Sequence, residues 1–313
     1  MKRWLSRFLR LLVLLFVLIN IVTIFHAYKF THFYNAGEIT VKPDSLKSGW
    51  DKTKEALFGI NFSKKKNDYL PDTVCQKLTL VTHDSLHLSA WYIPTPGTAK
   101  GTVAMFHGHG GNKSGMAREA AAFRQMGYHT LLVDFRAHGD SEGNTCTIGV
   151  DEAEDVKLAY EYVAKSGEKN IVLWGISLGA ATITKAVQDY GLKPSKVILE
   201  MPFASLHDAV EGRVKLMHLP AQPLASLLTF WGGTIHGFWA FNNKPYLFAK
   251  SITCPVLLQW GANDPRVKRS ETVAIFANLP AQKKMVVYEN SGHESLCKKE
   301  TEKWMANVND FLQ

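Results

Sequence analysis

Apolar residues are distributed along this chain in three distinct patterns. Residues 11–25 (LLVLLFVLINIVTIF) form one apolar run, broken only by Asn20 and Thr23 and carrying no charge. Residues 74–81 and 86–93 alternate with a period of two and flank His83-Asp84-Ser85, which predicts two antiparallel strands and a turn. From Gly101 onward, short apolar runs alternate with stretches of helical period. Residues 101–106, 128–134, 170–174, 196–200, 255–260 and 284–288 read as strands, and 150–165, 178–190, 266–278 and 294–311 as helices. This rhythm predicts an α/β fold with a mainly parallel central sheet and helices on both faces. Sheets of that kind carry their chemistry on loops at the strand C-termini.

The first apolar run follows Lys2, Arg3, Arg7 and Arg10. A helix from Leu11 to Tyr28 would reach about 27 Å, near the hydrocarbon thickness of a thin bilayer. Trp4 and Tyr28 suit the two interfaces. A cleaved signal peptide has the same basic-then-apolar order, but it needs small residues at its cleavage site. His26-Ala27-Tyr28-Lys29-Phe30 offers no such pattern. The expectation is a transmembrane signal anchor over residues 1–28. The positive-inside rule leaves its N-terminus cytoplasmic and places the remainder, single-pass, on the opposite, extracytoplasmic side. Residues 29–72, with Lys64-Lys65-Lys66, read as a juxtamembrane stalk holding a short helix near 46–58. Residues 73–313 read as one α/β domain.

One long interruption separates the strands at 196–200 and 255–260. Residues 203–250 are rich in leucine and aromatics, as in LPAQPLASLLTFWGGTIHGFWAF at 219–241. A second membrane span is the rival reading, but the prolines, the Gly232-Gly233 pair and His236 break the run too often. A helical lid inserted over the site fits better.

Composition narrows the function classes. Hydrophobic residues make up 46% of the chain and charged residues 20%, which excludes global disorder. Of the net charge of +8, five charges lie in the first thirty residues, which contain no Asp or Glu. The basic balance is therefore mostly a topology signal. No Lys/Arg-rich helix or aromatic stripe supports a nucleic-acid partner. The four cysteines (Cys75, Cys146, Cys254, Cys297) are widely spaced and form no C-x-x-C pair, which removes zinc-knuckle and thioredoxin-like readings. One or two disulfides and buried free thiols both remain open. Oligomeric state is not legible.

The candidate chemistry starts at Gly175-Ile176-Ser177-Leu178-Gly179. This G-x-S-x-G lies between an apolar strand and a helix-forming stretch, the context in which a tight turn lifts a serine Oγ above the sheet. A serine hydroxyl needs a base. His293, in Ser291-Gly292-His293-Glu294 after the last strand, is placed to serve. The imidazole needs a carboxylate to hold its tautomer. Asp264 in Gly261-Ala262-Asn263-Asp264-Pro265 follows a strand and is the first choice, although Asp before Pro also opens helices. Glu200 at the end of the preceding strand is the alternative acid. A developing oxyanion needs fixed N–H donors. The backbone N–H of Leu178 is one candidate. The loop His107-Gly108-His109-Gly110-Gly111-Asn112 supplies the other, at His109 or alternatively Gly110. The H-x-H spacing of His107 and His109 invites a metal, but no third ligand is nearby, and neither metal nor cofactor is expected. Asp134-Phe135-Arg136-Ala137-His138-Gly139-Asp140-Ser141 reads as a structural loop, with Asp134 and Arg136 pairing.

HGHGGN, DFRAHGDS, GISLG, EMPFASL (200–206), GANDPRV (261–267) and SGHESL (291–296) together resemble the α/β-hydrolase superfamily. The nearest likeness is to its serine aminopeptidase-like and acylglycerol lipase-like branch, including membrane-anchored bacterial members. The resemblance implies Ser177, Asp264 and His293 as a triad, with backbone donors at His109 and Leu178. Ala137 stands where many relatives carry glycine. The leading expectation is an esterase or lipase-like serine hydrolase acting through an acyl-enzyme on a small-molecule or lipid-like ester with a hydrophobic acyl group. A peptidase or amidase, a thioesterase and an acyltransferase remain alternatives, and a non-enzymatic binding module ranks last.

Overall fold

Helix α1 (Lys2–Thr31) opens the computed structural model, which describes residues 2–40, 42–69, 73–280 and 282–313. No proline or glycine interrupts α1, so the helix continues through the whole apolar run. Among the described residues it is the one helix long and apolar enough to cross a membrane. Side chains from Arg3 to Leu18 are exposed, whereas Thr23, Ala27 and Thr31 are buried. A spacing of four places those three on one face, and by that stripe the second half of α1 docks on the rest of the chain.

The stretch expected as a stalk is bound to the domain rather than standing clear of it. Strand β1 (Phe33–Tyr34) pairs in parallel with β2 (Phe62–Ser63). Between them lies α2 (Gly49–Phe58), opened by a capping box of Ser48 and Asp51. Phe33 is buried, and its N–H donates to the Asn144 carbonyl at 2.7 Å. Lys64 Nζ donates to the Ser141 carbonyl at 2.9 Å, and Asn67 Nδ2 to Asp134 Oδ2 at 2.9 Å. The expected boundary at Asp72 lies outside the described residues.

Eight strands form the main sheet: β3 (Gln76–Val81), β4 (His87–Ile93), β5 (Thr102–Phe106), β6 (His129–Val133), β7 (Ile171–Ile176), β8 (Lys196–Glu200), β9 (Val256–Gly261) and β10 (Lys283–Tyr288). Their spatial order is β10-β9-β8-β7-β5-β6-β4-β3. Only β4 runs against its neighbours; the remaining pairs are parallel. Each predicted strand is present with its ends within two residues of expectation. β5 is buried along its whole length, as a central parallel strand covered on both faces must be. The chain leaves β5 to β6 on one side and reaches β7 on the other. That reversal opens a crevice at the carboxyl ends of β5 and β7.

Helices α3 (Ala117–Gln125), α4 (Glu152–Lys165), α5 (Leu178–Tyr190), α9 (Arg269–Asn278), α10 (Leu296–Lys299) and α11 (Thr301–Leu312) flank the sheet. Between β8 and β9 the insertion folds as α6 (Leu206–Leu216), α7 (Ala221–Ile235) and α8 (Pro245–Phe248). Two helices differ from the sequence pattern. Helix α3 was not anticipated, because it is alanine-rich and follows directly on a glycine-rich loop. The last helix is two, broken at Glu300, whose carboxylate accepts from Asn290 N–H (3.1 Å) and Ser291 Oγ (2.7 Å) and so ties the break to the loop before it. All four cysteines are free thiols, with Cys146 and Cys297 buried.

Asp134 and Arg136 do not pair. Lys113, wholly buried, takes Asp134 and Asp140. Arg136 reaches Asp155 at 2.7 Å and Glu154 at 2.9 Å. The strand ends at Val133 and the chain turns at Arg136 and Ala137, so the two side chains lose the common face that a spacing of two would give them in a strand. Removing one partner of a buried ion pair strands the other, which costs about 3–5 kcal/mol. Arg136→Met is expected to lower unfolding free energy by that order, read from the urea midpoint of the detergent-solubilised chain. A midpoint equal to that of the parent chain would contradict the assignment.

Candidate active site

The turn from β7 into α5 is shaped by its two glycines. A β-carbon on Gly175 would lie 2.5 Å from the Gly179 carbonyl carbon, and one on Gly179 would lie 2.2 Å from the Phe106 carbonyl oxygen. Neither position has room for a side chain, so α5 starts hard against β5. Ser177, between them, is held at φ 53° and ψ −112°. Its N–H donates to the Glu200 carbonyl at 2.8 Å. A non-glycine residue with φ in that range is strained, and strain of this kind gathers at functional sites. Its effect here is to stand the hydroxyl at the head of α5.

Asp264 and His293 reach Ser177 from two other loops. His293 Nε2 lies 2.9 Å from Ser177 Oγ, and His293 Nδ1 lies 2.7 Å from Asp264 Oδ2. The Nδ1–H therefore donates to the carboxylate, and Nε2 is left to accept the serine proton. The other carboxylate oxygen, Oδ1, accepts the N–H of Arg266 (2.7 Å) and of Val267 (2.9 Å). Those bonds fix the carboxylate, and they delay the start of α9 by three residues relative to the sequence pattern. The Asp264 side chain is shut off from solvent. The loop bearing His293 is fastened by Asn263 N–H donating to the Ser291 carbonyl at 3.0 Å. It is fastened again by Ser295, whose hydroxyl donates to Glu119.

Glu200, the alternative acid, points away from His293 into the protein. Its Oε1 accepts from Trp174 Nε1 (2.9 Å), Trp304 Nε1 (2.7 Å) and Gln259 Nε2 (3.1 Å). Burial drives its carboxyl up to about 8, against the pull of the indole hydrogen bonds, so Glu200 is mostly neutral near pH 7.

The loop after β5 is held by imidazoles. His107 Nδ1–H donates to the Gly108 carbonyl (2.8 Å), and Nε2 accepts the Phe135 N–H (3.1 Å). His138 Nδ1–H donates to the Arg136 carbonyl (2.9 Å), and Nε2 accepts the Gly110 N–H (3.0 Å). Burial pulls His107 down to about 4 and His138 to about 3, so both stay neutral and structural. This use of the Gly110 amide removes it as an oxyanion donor. The backbone N–H groups of His109 and Leu178 have no acceptor among the described residues. A β-carbon on Gly108 would come within 3.5 Å of Ser177 Cβ, so this loop and the serine are in contact. His109 turns its ring away: Nε2–H donates to the Phe30 carbonyl at 3.1 Å, and the ring stacks on Phe30 with centroids 4.6 Å apart. Phe30, at the end of α1, had no sequence signal tying it to the site.

Ala137 has φ 62°, the left-handed region that glycine occupies without strain, which accounts for the glycine of the family pattern.

A family model for serine aminopeptidases of the S33 group matches residues 97–248. It covers Ser177 and stops short of Asp264 and His293. A lysophosphatidylserine lipase, ABHD12 of Danio rerio, is 30% identical over 186 residues, 56% of this chain and 46% of that protein. The chain thus spans about half the length of that relative. The uncharacterized protein YqkD of Bacillus subtilis is 24% identical over 275 residues, 81% of this chain and 89% of that one. Among solved structures, an esterase of Pyrococcus furiosus, Pf2001, superposes with a TM-score of 0.67 at 22% identity, over 80% of this chain and 95% of its own. The chain has the α/β-hydrolase fold.

Glu200 gives a pH test. Its pKa in the fold lies above the ordinary 4.5, so its contribution to stability is complete below about pH 4.5 and is lost as pH rises through about 8. Glu200→Gln is expected to remove that loss and flatten the decline in melting temperature between pH 5 and 8. An unchanged slope would show that Glu200 is ionised in the fold.

Proposed function

We propose that this chain is a membrane-anchored serine hydrolase of carboxylic esters, with Ser177 as nucleophile, His293 as general base and acid, and Asp264 as the group that holds the imidazole. The observation that carries the reading is the continuous hydrogen-bonded line from Ser177 Oγ through His293 to Asp264. His293 Nε2 takes the Ser177 proton as Oγ bonds to the acyl carbon. The carbonyl oxygen becomes an oxyanion, received by the N–H groups of Leu178 and His109. Leu178 opens α5, whose N-terminus also favours negative charge. His293 then passes the proton to the leaving alkoxide as the ester C–O bond breaks. Water, deprotonated by His293, attacks the acyl-enzyme, and the carboxylic acid leaves with Ser177 reprotonated.

Ester chemistry is favoured over aminopeptidase chemistry by the pocket itself. The residues lining it include Arg213 and Arg266 and no carboxylate among the described residues. A substrate ammonium would meet two cations and no partner there. The lipase and esterase names of the similar proteins point the same way.

Anchoring is supported by the length and composition of α1 and by the four basic residues that precede its apolar run. With the positive-inside rule these leave the N-terminus cytoplasmic and the hydrolase domain extracytoplasmic. Retention of α1 is supported by the burial of Thr23, Ala27 and Thr31 against the domain.

Two outcomes test the chemistry. The detergent-solubilised chain is expected to hydrolyse p-nitrophenyl butyrate, and Ser177→Ala to lose at least about 1,000-fold in kcat, as loss of a triad serine does; undiminished turnover would end the proposal. Asp264→Asn is expected to lower kcat by about 10⁴ with little change in KM, because the wrong tautomer of His293 is then favoured. If Glu200→Gln produced that loss instead, the acid would be misassigned.

A further inference from the structure

The pocket that holds Ser177 and His293 is narrow, about 60 Å³, and it adjoins a second cavity of about 100 Å³. The two share Phe30, Ile148, Leu206, Val210 and Arg213. The second cavity runs between α1, α6 and α7. Ala27, Phe30 and Thr31 of α1 form one wall, and Leu228 and Gly232 of α7 face them. The membrane helix therefore borders the substrate cavity itself. It also steadies the loop beside Ser177, through the bond and stacking between His109 and Phe30.

The lid is fastened to the same helix. Trp231 Nε1 donates to Asn20 Oδ1 at 2.9 Å, and His236 Nε2 lies 2.7 Å from Thr31 Oγ1. Asn20 serves as a depth marker. A hydrocarbon layer of about 30 Å takes roughly 20 residues of helix, which, counted from Arg10, ends near Phe30. Asn20 is about halfway along, so the Trp231 edge of the lid lies alongside hydrocarbon. Phe230, Ile235 and Trp239, close by in the chain, are exposed apolar side chains. Apolar surface on a lid beside a spanning helix is covered by lipid tails rather than by water.

We propose that the cavity between α1, α6 and α7 is the acyl-chain site for an ester of a membrane lipid, with the anchor helix as one wall and the lid resting in the outer leaflet. This rests on the hydrolase reading and adds where the chain lies and how it arrives. A lipid tail passes from the bilayer along α1 into the cavity, and its carbonyl reaches Ser177 without the methylenes crossing water, each of which would oppose entry. The anchor is then part of the binding site, and a fragment starting after Phe30 lacks a wall of it.

A β-carbon on Gly232 would meet nothing within 4 Å, so a side chain can start there and extend into the cavity that Gly232 lines. In the full chain in detergent micelles, Gly232→Trp is expected to lower the ratio of kcat/KM for p-nitrophenyl myristate over p-nitrophenyl butyrate at least 10-fold. Leu228→Trp, which fills the same space from another position, is expected to move the ratio in the same direction and keeps the test open should the first variant not fold. An unchanged ratio in a folded variant overturns the proposal. Binding of tritiated palmitate to the full chain carrying Ser177→Ala separates this proposal from the one it rests on. Saturable binding, weakened at least 10-fold when Gly232→Trp is added, supports the site; equal binding by both chains, or none by either, overturns it. Failure of the parent chain to hydrolyse either ester would end the hydrolase reading, while the palmitate result would still decide the cavity.

Discussion

Gly179 packs so closely on β5 that a single added carbon would sit 2.2 Å from the Phe106 carbonyl oxygen. The site depends on that approach. It leaves the chain no gentle path from β7 into α5, and Ser177 takes the left-handed backbone that the sharp reversal requires. The same approach brings the loop after β5, which carries His109, against the serine. A bulkier residue at Gly179 would separate α5 from β5 and dissolve the serine, the amides and the crevice together. The strain at Ser177 is sustained by what surrounds it: the Glu200 carbonyl bond and a β5 strand with no exposed residue.

Around this elbow the loop and sheet groups are neutral or paired with one another, while Arg213 and Arg266 line the pocket itself. The buried imidazoles of His107 and His138 are neutral struts, each using one nitrogen to donate and the other to accept. Arg136 and Lys113 absorb the carboxylates of Asp155, Glu154, Asp134 and Asp140. Glu200 is neutralised by burial beneath two tryptophans. Asp264 is the carboxylate that meets His293, and its second oxygen is occupied by two backbone amides, which leaves one direction in which it can serve.

The strand pattern was legible because a period of two and short apolar runs are local properties, and the eight strands follow from them. Ser177, Asp264 and His293 could be singled out because each sits beside small residues in the turn or loop that follows a strand, and the structure brings the three within hydrogen-bond distance. Long-range partners could not be read. Nothing local links Arg136 to Asp155 rather than to Asp134, or His138 to the Gly110 amide. Helix α3 was hidden because its alanines supply propensity without a strong apolar stripe. The packing of Phe33, Phe62 and residues 64–67 onto the DFRAHGDS and HGHGGN loops was also hidden, since it rests on scattered contacts such as Lys64 with Ser141, Asn67 with Asp134 and Phe62 with His109. The same holds for Phe30, which in the sequence is one more apolar residue at the end of an anchor and in the fold touches the loop beside the nucleophile.

The proposed chemistry rests above all on activation of the elbow serine by His293. Intact-mass and peptide mapping of the full chain after exposure to an ethyl fluorophosphonate tests this directly. The expected result is a single phosphonyl adduct on the peptide holding Ser177, formed quickly in the parent chain and almost absent when His293→Gln is introduced. An adduct on another residue, no adduct at all, or labelling as fast without His293 would contradict the account.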